Sequence, residues 1–436
     1  MTDQPQTPAA SKAAQKTHAK AASKAKTRLA NAELPMPLWE FVSMVAALMA
    51  LNAFAIDIML PAMGTIGEYY ALENPNSQQW LLYSYLLGFG APQLVFGPLS
   101  DRFGRRNLLR LCIVFYGIFA VLCMATSSFA LLLAVRFLQG IFAAGIRVIA
   151  TSIVRDLTMG RAMASIMSLV MTIFMIIPII APAIGQGVMV LAGWRWTFGV
   201  LGVAAVLTFL WVSFRLPETL AVENQRELSF TRIKEGFSQV LSHRVTFGYM
   251  AASGVVFGSL FAFIAASEQI FDDVFGRGDK FALWFALIAG TLAIGNFTNS
   301  RIVEHYGMRR LSHGILIAFI VLALSNFLIM TFMGEMFWVF LPLFALTFGC
   351  FGMLGANFSA LAMEPQGRVA GTASAVYGFF TSTIASGFGY AVSSQFNGKV
   401  APILLGFVGL GLLSLVIILI TERGKLFELG EGKAGY

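Results

Sequence analysis

Charge is scarce in this sequence. Of its 436 residues only 12% are Asp, Glu, Lys or Arg, against about 25% in an ordinary soluble domain. Cysteine is nearly absent. Cys112, Cys123 and Cys350 each lie inside an apolar run, so they read as small hydrophobes, with no disulfide framework and no metal-ligand spacing. The four histidines (His18, His243, His305, His313) lie in the N-terminal tail, in connections and near a helix end. They form neither a nucleophile–base pair nor a metal set, which argues against a membrane enzyme. No G-x-x-x-x-G-K-[ST] loop is present, which argues against nucleotide-driven pumping. Residues 1–37 lack the apolar core of a cleavable leader, and the first apolar run is expected to target the chain itself. Neither terminus is long enough for an appended sensor domain.

What is abundant is apolar. Hydrophobic residues make up 57%, with 40 Phe and 42 Gly. A run of about 20 apolar residues spans a bilayer as a helix. Only helices and closed barrels satisfy their backbone there, and these runs are too long for barrel strands. Twelve spans are expected: 38–62, 79–99, 107–126, 129–153, 163–191, 194–216, 245–270, 281–301, 309–332, 335–360, 369–392 and 400–421. The fold class is therefore an all-α membrane protein of twelve helices in two six-helix bundles, 38–216 and 245–421. The bundles are joined by a loop at 217–244 and flanked by tails at 1–37 and 422–436. With the N-terminus inside, cytoplasmic segments hold 24 of the 30 Lys and Arg and outer segments hold 4. The positive-inside rule then puts both termini in the cytoplasm. Lys12, Lys16, Lys20 and Lys24 mark the first tail as a disordered basic segment near anionic lipid, with no folded partner for nucleic acid.

The densest charge is in Gly97-Pro98-Leu99-Ser100-Asp101-Arg102-Phe103-Gly104-Arg105-Arg106, expected to be a sharp turn between spans two and three. A fainter copy, Glu304-His305-Tyr306-Gly307-Met308-Arg309, follows span eight. Arg155-Asp156 and Gly160-Arg161 after span four are matched by Glu364 and Gly367-Arg368 after span ten. Such duplication marks a transporter whose halves rock about a midplane site.

Ionisable residues inside spans are functional candidates. Asp57 and Arg136 are expected at similar depth, as a fixed ion pair or as a titrating, transport-linked pair. Arg147 follows Arg136 by eleven residues and shares its helix face. It either binds substrate or pairs with an acid or a carbonyl. Gln139 and Gly140 flank that stripe, and Tyr85 is one of many aromatics available to a pocket. Glu268 is either a second proton site or a solvated helix end like Asp272 and Asp273. Asn296, Asn299 and Asn357 suit interhelical hydrogen bonds, with Asn357 also a cavity candidate.

Together these motifs resemble the major facilitator superfamily. The stretch 97–106 resembles its loop between helices two and three, Arg136-Phe137-Leu138-Gln139-Gly140 its helix-four motif, and Pro178-Ile179-Ile180-Ala181-Pro182-Ala183-Ile184-Gly185 its helix-five antiporter motif. Asp57-Ile58-Met59-Leu60-Pro61, Arg155-Asp156, Gly193-Trp194-Arg195-Trp196, Leu216-Pro217-Glu218-Thr219 and Ala370-Gly371-Thr372 are similar to the bicyclomycin-resistance (Bcr/CflA) type of drug:proton antiporter. The resemblance covers residues 40–421. It implies a monomeric inner-membrane antiporter that needs no cofactor, is driven by the proton gradient and expels a small amphipathic molecule. A metabolite carrier is the alternative on the same fold. It implies proton coupling at Asp57 with Arg136, and a gate on the arginine-rich side around Gly97, Asp101, Arg102, Gly104 and Arg105, with Arg155, Asp156, Glu304 and Arg309. It also implies bending and close packing at Pro178, Pro182 and Gly185. Three positions depart from the pattern. Met49 stands where some relatives carry a second carboxylate, Glu268 where many have proline, and Arg147 where a small residue is usual. Two interior arginines favour neutral or anionic ligands.

Overall fold

The computed structural model describes residues 34–158, 160–220, 237–238 and 240–427; for residues 160, 161, 164 and 367–370 it describes the backbone alone. The lysines of the N-terminal tail, most of the 217–244 connection and the side chains of Arg161 and Arg368 thus lie outside the described residues. Among those described there is no strand.

Among the described residues fifteen delimited α-helices carry the fold. The first half holds α1 (Leu38–Asp57), α2 (Met63–Tyr69), α3 (Trp80–Gly90), α4 (Gln93–Phe103), α5 (Arg105–Met124), α6 (Phe129–Leu157), α7 (Gly160–Phe174), α8 (Ile177–Ala192) and α9 (Arg195–Arg215). The second holds α10 (Arg244–Gln269), α11 (Phe281–Tyr306), α12 (Met308–Met333), α13 (Phe337–Met363), α14 (Ala370–Ser393) and α15 (Ala401–Thr421). Ten stretches among the described residues are long and apolar enough to cross a membrane. The expected spans 79–99 and 369–392 are not among them; they correspond to α3 with α4, and to α14.

Several boundaries differ from the sequence reading, each for a local reason. The first span continues past residue 62 to Tyr69, crossing a short 3-10 turn at Leu60–Ala62 where Pro61 cannot donate. Asp57 is therefore about 18 Å below that end, at 1.5 Å per helical residue, rather than near it. The second span breaks ahead of Pro92. The charged stretch 97–106 is not a loop, because α4 runs through Pro98 to Phe103. The turn is Gly104 alone, at φ 87°, and Gly307 repeats it at φ 79°. Both values are in the left-handed region that glycine enters freely. The fifth span divides at Met175-Ile176, with Pro178 in the first turn of α8, where its missing N–H costs nothing. Pro182 lies inside α8 and does not interrupt it.

Each half contains a helix pair in which two glycines approach the backbone of the facing helix. A Cβ on Gly88 would collide with Phe137 O, and one on Gly140 with Tyr85 O, so α3 and α6 interlock. In the second half, Gly295 faces Gly349 O and Gly352 faces Leu292 O, locking α11 to α13 in the same way. Small residues let helices meet this closely where hydrophobicity supplies no drive. The second half also has an aromatic centre: Phe263 is 4.8 Å from Phe344 and 4.9 Å from Phe348. The halves meet through α8 against α11 and through α3 and α4 against α14.

Candidate functional site

Arg136 is the largest fully buried side chain. Its guanidinium reaches Ala55 O (3.1 Å), Leu81 O (3.4 Å) and Gln139 Oε1 (2.8 Å). It also stacks over Tyr85, 4.4 Å from the ring centroid, a favourable cation–π geometry. Tyr85 in turn donates to Asn52 Oδ1 (2.8 Å). This network ties α1, α3 and α6 together. The expected Asp57–Arg136 pair is not formed. Ala55 O is among the last four carbonyls of α1, which lack intrahelical donors, and it takes the guanidinium instead. Asp57 is only 4% exposed and has no ion-pair or hydrogen-bond partner among the described residues.

Tyr85 and Gln139, expected to line a substrate cavity, are fully buried inside the first half. They hold Arg136 and present nothing to a ligand in this conformation. Asn357 makes the expected interhelical hydrogen bonds and does not line a cavity in this conformation. It exchanges two amide hydrogen bonds with Asn299, at 2.8 and 3.2 Å, which joins α13 to α11. Arg147 is different. It is half-buried, has no acid partner among the described residues, lies 5.6 Å from the Phe89 ring and is within electrostatic reach of Tyr377 on α14. Tyr377 bonds Ser253 of α10 at 2.8 Å. Arg147, Phe89, Tyr377 and Ser253 thus face one another across the two halves.

Glu268 is not a frayed end, because α10 continues past it into a π turn at Ile270–Val274. It accepts from Gln78 Nε2 (3.2 Å) and packs on Gly64. This puts it in a seam between the halves. The seam is closed mainly by neutral amides. Gln79 bonds Gln269 (2.9 Å) and Ser393 O (3.1 Å), Asn76 bonds Phe396 O (2.8 Å), Tyr83 bonds Ser393 (2.9 Å), and Gln186 bonds Asp279 O (2.8 Å). Sequence reading missed this set, since a lone Gln or Asn beside a span carries no signal of its partner.

At the opposite, arginine-rich end, charges pair within each half. Arg105 bridges Asp101 (2.6 Å) and Asp156 (2.8 Å) and also bonds Ser100. Arg309 bridges Glu364 (3.4 Å) and Glu422 (3.1 Å). Among the described residues no ion pair crosses between the halves, so Asp101 does not hold the opposite half here. Arg102 is exposed over Phe103, Gly97 has open space around it, and Glu304 is exposed, with no ion pair among the described residues. Arg155 bonds Ser152 and lies against Gly371 of the other half.

Glu218 has a function the sequence motif did not reveal. Its carboxylate accepts from the backbone N–H of Arg105 (2.8 Å) and Arg106 (3.1 Å), and from Thr219 and Leu220. It caps α5 from the end of α9, satisfying donors that a helix start leaves open. Glu422 occupies the matching place after α15 and holds Arg309 and Tyr249 (2.7 Å). Glu218→Ala is expected to lower stability by about 1–2 kcal/mol, the usual cost of a lost cap. A thermal melt in detergent measures it, and an unchanged melt rejects the capping assignment.

The Major Facilitator Superfamily model matches residues 44–390. A bicyclomycin resistance protein homolog of Haemophilus influenzae is 29% identical over 84% of this chain and 91% of its own. An uncharacterised MFS-type transporter of Bacillus subtilis, YdgK, is 31% identical over 79% and 85%. The chloramphenicol resistance protein CraA of Acinetobacter baumannii is 26% identical over 70% and 73%. Among solved structures, a D-xylose–proton symporter superposes with TM-score 0.71 at 14% identity, over 90% of this chain and all of the other. That likeness concerns the fold.

Proposed function

Because the chain belongs to the major facilitator superfamily, and so is a multi-pass membrane transporter of small molecules, we propose that it exports a small amphipathic compound in exchange for protons. The reading takes the chain as twelve crossings of a bacterial inner membrane with the arginine-rich end in the cytoplasm. The relatives named for bicyclomycin and chloramphenicol resistance support a drug-like cargo.

One observation carries the coupling: Asp57 is a buried carboxylate with no counter-charge among the described residues, because Arg136 is satisfied by two carbonyls and the Gln139 amide oxygen. An ionised carboxylate there costs several kcal/mol, and a proton removes that cost. In this reading the seam of Gln79, Gln269 and Ser393 closes the outer side while Asp57 holds its proton. Release of the proton to the cytoplasm leaves a charge on Asp57 and lets substrate enter between Arg147, Phe89, Tyr377 and Ser253. Opening of the seam lets substrate leave, and the outer solution returns a proton to Asp57. Arg147, without an acid, favours neutral or anionic cargo, and this also keeps a metabolite carrier as the second reading.

Everted vesicles from a pump-deficient host test the proposal. With respiration acidifying the interior, labelled chloramphenicol or bicyclomycin is expected to accumulate, and a protonophore is expected to abolish that uptake. Accumulation that survives the protonophore overturns proton coupling. Transport of amino acids with no transport of either drug selects the second reading.

A further inference from the structure

The lipid-facing surface of the first half carries a groove that transport does not use. It lies between α5 and α9, holds about 400 Å³ and is walled by Val114, Ile118, Val121, Val206 and Phe209, with Gly117 and Gly202 among its lining residues. At Gly117 the two helices nearly touch, a Cβ there being 3.0 Å from Ala205 Cβ, and the side chains above and below splay apart. Measured along α5, the lining runs from Ile113 to Leu122, about 14 Å at 1.5 Å per residue. One leaflet of hydrocarbon is about 15 Å deep.

Arg110 stands at the arginine-rich end of this groove. Its guanidinium lies 5.5 Å from the ring of Phe209, which is itself part of the wall. Among the described residues Arg110 has no ion pair and no hydrogen bond. The acids nearby are occupied: Asp101 and Asp156 by Arg105, and Glu218 by the backbone at the start of α5. Arg106 is turned away to Ser213 O at 2.6 Å. An unpaired cation at headgroup level therefore caps an apolar channel one acyl chain deep.

We infer that this groove is a binding site for an anionic glycerophospholipid of the leaflet on the arginine-rich side, its phosphate on Arg110 and one acyl chain along α5 and α9. The guanidinium supplies a charge-assisted hydrogen bond to phosphate. The walls exchange no water for the chain, so the headgroup decides which lipid stays. The site is independent of the direction of transport and of the cargo.

Native mass spectrometry of the full-length protein tests it, with phosphatidylglycerol and phosphatidylcholine of identical chains supplied in equal amounts. Wild type is expected to retain phosphatidylglycerol about 10-fold over phosphatidylcholine, the factor that about 1.4 kcal/mol produces. Arg110→Gln is expected to remove the preference. Val114→Trp with Val206→Trp, which fills the groove from its lipid side, is expected to remove retention of both. Arg301→Gln removes a cation stacked 5.1 Å from Phe297 and is expected to change nothing. Melting temperatures in lipid-free detergent identify any variant that fails to fold. An Arg110→Gln protein that keeps the wild-type preference, or a filled groove that still retains lipid, overturns the proposal.

Discussion

Asp57→Asn is expected to abolish gradient-driven accumulation while leaving substrate exchange intact. Each proton moved down about 100 mV supplies about 2.3 kcal/mol, which sustains a concentration ratio of about 50 for one-to-one exchange. Asparagine keeps the size of the side chain and its uncharged character but cannot take up or release the proton. The accumulation ratio in proteoliposomes under about 100 mV should therefore fall from about 50 towards 1. Counterflow of labelled against unlabelled substrate needs no proton and should persist, which separates uncoupling from misfolding. Accumulation by the variant at the wild-type ratio would remove Asp57 from the mechanism. The fold is expected to tolerate the substitution, because among the described residues Asp57 has no partner to lose when its charge goes.

Gly185→Val is expected to be the most destabilising single change along α8. A Cβ at 185 would collide with Ile58 O, and a backbone atom cannot rotate away. Valine adds three carbons where not even one fits, forcing α8 off α1. Overpacking of this kind costs about 1–3 kcal/mol and more where backbone must move. Two residues further, Gly187 has nothing within 4 Å of a Cβ position. Gly187→Val therefore carries the same propensity change without the collision. The two melts should separate clearly, with Gly185→Val well below Gly187→Val. Equal melts would show that the α1–α8 approach is not needed for stability.

The apolar runs were legible because a bilayer demands about 20 apolar residues per crossing, a signal that survives any detail of packing. Helix breaks were less so. Pro178 announced one, but the continuation of the first span to Tyr69 and of α4 through Pro98 depended on neighbours. The partners of charges were the least legible. Asp57 and Arg136 stand at compatible depths, and opposite charge suggested a bond. The guanidinium found three oxygens and an aromatic face first, all from residues that periodicity does not connect. Glu218 belonged to a recognised motif, yet its cap on α5 appears only when α9 returns beside it. Gln78, Gln79 and Gln269 close a seam between halves that no run of sequence contains. Gln139 flanks the arginine stripe and Tyr85 is one of many aromatics available to a pocket; both lie near Arg136 in the fold. They are near it because they hold it, which takes them out of reach of cargo.

The doubled arrangement of Glu218 and Glu422 has a consequence for how the chain is made. Each glutamate secures the charged turn of its own half, at Gly104 and at Gly307, and each interlocked glycine pair also lies within one half. A cut between Leu220 and Phe237 severs none of these ties. Two separately translated fragments would each carry a complete set of internal fastenings, and the surfaces left to find each other are α8 with α11 and α3 and α4 with α14. Two halves made as separate chains are therefore expected to keep these internal ties, and the covalent connection is not what holds either half together.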